Sequence, residues 1–126
     1  VDYDNDGDLD LVITENGGPA HLLRNDGGNT NNWIRIQLVG TESNRDAIGT
    51  RVTIRTGDMV QERFRRSGSS YLSQSDPRLT FGLGASKLVD SLEVRWPSGA
   101  TQVFDKIPAG RLLVLREGSQ LEMRAP

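Results

Sequence analysis

The chain has no cysteine among its 126 residues, which removes disulfide cross-links and thiolate metal sites together. It has a single histidine, His21, so a zinc centre of the usual histidine and cysteine composition cannot be assembled. No apolar run approaches the roughly 20 residues that a membrane-spanning helix needs, and no basic, apolar, small-residue leader opens the chain. A soluble protein without membrane insertion is therefore expected. The start at Val1 without a methionine suits a processed chain or a piece of a longer one. Excess charge of one sign is also lacking: 15 basic and 17 acidic side chains leave a net charge of −2, with no global footprint for nucleic acid. The one basic cluster, Arg63, Arg65 and Arg66 around Phe64, has Glu62 beside it and reads as a solvated strand face. Catalytic patterns are missing as well. There is no G-x-S-x-G elbow, a hydrolytic triad would have to use His21 beside a turn, and the acids are not disposed as an opposed pair. The chain is expected not to be an enzyme.

What is present is glycine, 14 residues of it, with 35% hydrophobic residues, a composition suited to short strands and tight turns. The fold class expected is all-β. Leu9 to Thr14 and His21 to Arg24 read as two strands around the turn Asn16-Gly17-Gly18-Pro19. Two strands alone are marginal in water, so they must lean on something else. From Trp33, Ile34, Ile36 and Leu38 alternate with Arg35 and Gln37, as on a strand with one buried face. Val52 and Ile54, then Leu92, Val94 and Trp96, repeat the pattern. Thr56-Gly57-Asp58 is a hairpin connection, and the continuous run Leu112 to Leu115 suits a strand buried on both faces. About seven short strands make the second unit a β-sandwich. The expected organisation is a partial hairpin unit over 1–28, a polar linker over 29–32, a sandwich over 33–118 and a fraying polar tail over 119–126.

The densest chemistry lies at the start. Asp2, Asp4, Asp6 and Asp10 occupy positions 1, 3, 5 and 9 of D-x-D-x-D-G-x-x-D, with Gly7 at position 6 and Asp8 at position 7. Such spacing turns successive carboxylates toward one centre, glycine permits the sharp bend, and an all-oxygen donor set selects a hard cation of calcium size. An EF-hand would need a carboxylate at position 12, which is Ile13, and a helix where a strand follows. A solvated acidic turn would account for the composition too, but five aspartates in nine residues repel one another without a cation.

The run from Val1 to Leu11 resembles the calcium-binding loop of FG-GAP (VCBS-type) repeats, the blades of integrin-like β-propellers. That resemblance implies side-chain oxygens from Asp2, Asp4, Asp6 and Asp10 and a main-chain oxygen from Asp8. Beyond Asn32 the segments 43–49 (SNRDAIG), 68–74 (GSSYLSQ), 81–84 (FGLG) and 94–99 (VRWPSG) resemble an ASPIC/UnbV domain, as in the cartilage acidic protein family and its bacterial relatives. The resemblance implies an extracellular, cell-surface or periplasmic module of binding or adhesion.

Arg45 and Asp46, in the turn before Ala47-Ile48-Gly49, are either ligand contacts or partners that pin the turn. Ser70, Tyr71 and Gln74 combine hydroxyl, aromatic and amide groups suited to a sugar or protein loop, although Tyr71 and Leu72 could equally anchor the core. Trp33 and Trp96 are expected to pack, with a sugar-stacking surface as the alternative for Trp96. The expected function is calcium-stabilised recognition of an extracellular protein or polysaccharide, with possible self-association. Two alternatives are a structural subunit of a surface fibre or layer assembled through strand edges, and the accessory domain of a larger enzyme.

Overall fold

The computed structural model describes residues 1–124. Its elements are β1 (Leu11–Thr14), β2 (Ala20–Leu23), a 3₁₀ turn (Gly28–Thr30), β3 (Asn32–Val39), β4 (Arg51–Thr56), β5 (Met59–Phe64), β6 (Leu79–Gly84), β7 (Leu88–Arg95), β8 (Thr101–Pro108), β9 (Arg111–Arg116) and β10 (Leu121–Arg124). The fold is all-β, as the composition implied. β1 and β2 form a separate antiparallel hairpin, while two four-stranded sheets, in the orders β10-β9-β3-β6 and β5-β4-β7-β8, make the sandwich.

Alternation along the strands builds the core. Ile34, Ile36, Leu38, Phe81, Leu83, Leu113 and Leu115 from one sheet join Val52, Ile54, Val89, Leu92, Val94 and Ile107 from the other in a single buried cluster. β9 lies between β10 and β3, parallel to β3. Its Leu113, Val114 and Leu115 are all buried, which accounts for the unbroken apolar run on a strand covered on both faces. The Thr56–Met59 connection is the expected two-residue turn, with Gly57 at φ +57°.

Three expectations are corrected. The sandwich has eight strands, because the expected tail contributes β10: Gly118 turns the chain at φ +75° and residues 121–124 pair antiparallel with β9. Leu121 packs on the core and anchors that strand; Ala125 and Pro126 lie outside the described residues. The segment 29–32 is not a free linker, since it holds most of the 3₁₀ turn and the first residue of β3, and the Asn29 amide donates to the Asp6 carbonyl at 3.2 Å. Arg35 does not face water. It projects with Thr80 and Leu112 from the outer face of its sheet, and residues of the acidic loop cover it to 2% exposure.

Candidate metal centre and the ends of the sandwich

Backbone pairing closes the acidic loop at its ends. The Asp10 N–H donates to the Val1 carbonyl at 2.6 Å, and the Val1 amino group to the Asp10 carbonyl at 3.2 Å. Two left-handed residues bend the ring between them, Asn5 at φ +59° and Gly7 at φ +105°. Asparagine tolerates that region, whereas at Gly7 a side chain is also excluded by space. A Cβ there would sit 2.0 Å from Cε2 of Trp33. The loop thus lies with its glycine against the indole, on the outer face of β3.

Curled in this way, the ring brings one carboxylate oxygen each from Asp2, Asp4 and Asp10 within 4.8 Å of one another. The three are held differently. Asp10 accepts backbone N–H bonds from Tyr3 at 2.8 Å and Asn25 at 2.9 Å, which hold its pKa below the usual carboxylate range despite burial. Asp2 pairs through Oδ2 with the Arg35 guanidinium and accepts the Gly7 N–H there at 3.3 Å. Asp4 is exposed, its Oδ2 3.9 Å from Arg24. Of the other two expected ligands, the Asp6 carboxylate bonds within the loop, and the main-chain oxygen of Asp8 lies 3.5 Å from Arg35 Nη2. Asp6 Oδ1 accepts the Asp8 N–H at 3.1 Å, and Asp8 Oδ2 accepts the Gly28 N–H at 3.0 Å. Burial and the neighbouring aspartates push the Asp8 pKa up, partly offset by the bond from Gly28.

Two buried oxygens in this region, Oδ1 of Asp2 and Oδ1 of Asp8, have no hydrogen-bond partner. An unpartnered buried polar atom costs about 1–3 kcal/mol, more for a charged group. A hard cation is the partner that such oxygens and the Asp2, Asp4, Asp10 convergence fit. Asp2, Asp4 and Asp10 would hold it, and it would supply the charge that lets these carboxylates stand together.

The opposite chemistry, a fully satisfied carboxylate, sits at one end of the sandwich and was not read from the sequence. Glu117 is buried and accepts bonds from the N–H groups of Thr41 (2.9 Å) and Ser43 (2.7 Å) and from the hydroxyls of Ser43 (2.8 Å) and Ser98. Burial opposes ionisation, but these donors outweigh it and lower the pKa to about 2. Ser43 and Ser98 belong to two of the segments that carried the ASPIC/UnbV resemblance. Their chemistry is a latch joining the β3–β4 loop, the β7–β8 turn and the end of β9. Trp96 of the same segment is buried, and its Nε1 donates to Gln102 at 2.6 Å, so it presents no stacking surface.

Arg45 and Asp46 do not pin their turn; among the described residues neither side chain has a hydrogen bond or ion pair. Asn44 does that work through its amide, bonded to both N–H and carbonyl of Ile48 at 2.8 and 2.9 Å. Ser70 bridges to Ser73 across a tight turn, which holds Tyr71 and Leu72 outward at 87% and 88% exposure. Core anchoring by this pair is thereby excluded. Gln74 donates to the Ser75 carbonyl at 2.8 Å. Asp46 and Gln74 open to different depressions, the first with Arg65 and Arg78, the second with Phe64 and Arg66.

Residues 40–122 match the family model described as "ASPIC and UnbV". Three relatives, cartilage acidic protein 1 of Mus musculus, Homo sapiens and Xenopus tropicalis, are each 34% identical over 103 residues, covering 79% of this chain. The chain spans 15–16% of the length of these curated relatives. The chain belongs to the ASPIC and UnbV family.

Proposed function

We propose that the chain is a calcium-stabilised extracellular binding module, in which residues 1–10 hold one calcium ion and no chemical step is performed. The observation that carries this reading is the convergence of Asp2, Asp4 and Asp10 beside a buried oxygen of Asp2 that lacks a partner. Binding energy from an ion held only in the folded state becomes folding energy. The cation's role is to make residues 1–28 rigid, so that surfaces beyond it are presented in one arrangement. The name of the relatives, with its reference to cartilage, a matrix-rich tissue, supports an extracellular location. The outward Tyr71 and Leu72 on their serine-rich turn are the surface best suited to a protein or polysaccharide partner.

The hairpin supports reading residues 1–28 as part of an FG-GAP type blade. Leu11, Val12, Ile13, Leu22 and Leu23 are 41–56% exposed, more apolar surface than a finished two-stranded unit would leave in water. The same exposure favours a second reading, assembly into a surface fibre in which a neighbour's strand pairs with β1 or β2. Sedimentation over a hundredfold concentration range separates the two, since fibre assembly makes size rise with concentration.

Calorimetric titration of the metal-stripped chain with calcium, beside Asp4→Asn, tests the calcium reading. Asp4 is the suitable probe because Asp2 and Asp10 also hold the backbone and Arg35 in place. One saturable event that is lost in the variant is expected. No heat in the native chain, with no rise in melting temperature, would refute it.

A further inference from the structure

Arg35 is a charged side chain in the middle of an interior strand, buried to 2% exposure against an Asp2 side chain that has no exposed surface. Its Nε donates to Thr80 Oγ1 at 3.1 Å, Nη2 reaches the Asp8 carbonyl at 3.5 Å, and the guanidinium carbon lies 5.4 Å from the Trp33 ring centroid. The sandwich itself therefore fixes where the guanidinium points. The pairing uses Oδ2 of Asp2, while Oδ1 stays buried and without a partner. One carboxylate is thus divided, with one oxygen facing the sandwich's own cation and one left over. Breaking such a buried pair from either side leaves an uncompensated charge in the interior, which is strongly destabilising.

We propose that Arg35 is a positioning residue for the acidic loop: it holds Asp2 against the sandwich through Oδ2, leaves Oδ1 for the metal ion, and keeps residues 1–10 docked on β3 when no ion is bound. The metal part of this inference rests on the calcium reading; the docking part does not. A fixed positive charge beside a cation site would, on Coulomb attraction and repulsion alone, weaken binding. Here the geometry reverses that sign, because without Arg35 the Asp2 carboxylate moves to water and the ligand set disperses.

The test uses the full chain and Arg35→Met and Arg35→Lys, with two readouts. The first is limited proteolysis in chelator with the cut sites identified by mass. The native loop should resist, Arg35→Met should be cut within residues 1–28 at least about tenfold faster while the sandwich stays intact, and Arg35→Lys should fall between them. The second is calcium affinity, expected to drop by about tenfold or more in Arg35→Met. Cleavage of Arg35→Met at the native rate, or calcium binding as tight as native or tighter, would overturn the proposal. If the native chain binds no calcium, the calcium reading fails and the proteolysis alone decides the docking role. Should Arg35→Met not fold, Asp2→Asn breaks the same pair from the loop side, and native-like protection of that loop in chelator would overturn the proposal equally.

Discussion

In the core of the sandwich the buried side chains are apolar, isoleucine, leucine, valine and phenylalanine with Ala47 and Trp96; where the N-terminal loop meets the outer face of β3 they are Asp2, Asp8, Asp10 and Arg35. The first set needs only to leave water, a non-directional gain that scales with area. The second gains nothing by leaving water unless each charge finds its partner. Both regions hold two partnerless oxygens, but those of the sandwich are the neutral hydroxyls of Thr50 and Thr56, whereas those of the loop belong to the carboxylates of Asp2 and Asp8, for which the cost is larger. Apolar burial makes a region independent of conditions such as metal and salt, and charge burial makes it conditional.

The contrast can be broken most forcefully in the core. Phe81 is fully buried, and Phe81→Ala should cost about 3–5 kcal/mol, seen as a lower denaturant midpoint with or without calcium. A midpoint restored by calcium would show that the two regions are not distinct. Gly7→Ala should act on the loop alone. The left-handed backbone and the indole in its path together cost roughly 2–3 kcal/mol of docking, while the sandwich midpoint stays within about 0.5 kcal/mol. Proteolysis of residues 1–28 reads the first effect and denaturation the second.

Glu117 sharpens the comparison, as a buried carboxylate whose oxygens are fully served by protein donors. Its folded pKa of about 2 lies below the ordinary 4.5, so its stabilisation is complete above pH 4.5 and falls away as pH drops toward 2. Glu117→Gln should lower the melting temperature at neutral pH by an amount that shrinks as pH drops from 4.5 toward 2, and calcium should not alter it. A pH-independent difference would contradict the ionised latch. The smallest effects are expected at the outward turn. Tyr71→Ser should shift stability by no more than about 0.5 kcal/mol. Leu72→Gly should be neutral or slightly stabilising, since Leu72 has φ +47°, a region that costs a non-glycine residue about 1–2 kcal/mol. A larger loss in either variant would mean that the turn packs on something.

The sandwich was legible because its strands alternate and its turns carry glycine, and the Asp2-to-Asp10 spacing was legible because it is local. Arg35 was not, since alternation says which face of β3 turns from the core but not whether something covers that face. The residues that cover it lie 27 or more positions away. Glu117 escaped for the same reason, as its donors are 19 to 76 residues distant. β10 was hidden because the alternation of Leu121 and Met123 with Glu122 and Arg124 is only four residues long, and the strand takes its conformation from pairing with β9. Arg45 and Asp46 drew attention as charges in a turn, but the neutral Asn44 supplies the geometry.

The most direct measurement is amide hydrogen exchange on the metal-stripped chain before and after calcium. The N–H groups of Tyr3, Gly7, Asn25 and Gly28 donate to the carboxylates of Asp10, Asp2, Asp10 and Asp8, so each reports whether the acidic loop is closed. Calcium should slow exchange at these four amides far more than at the core amides of β3, β4 and β7. Equal exchange at the four amides with and without calcium would contradict the account of a loop that Arg35 docks on β3 and a bound cation tightens further.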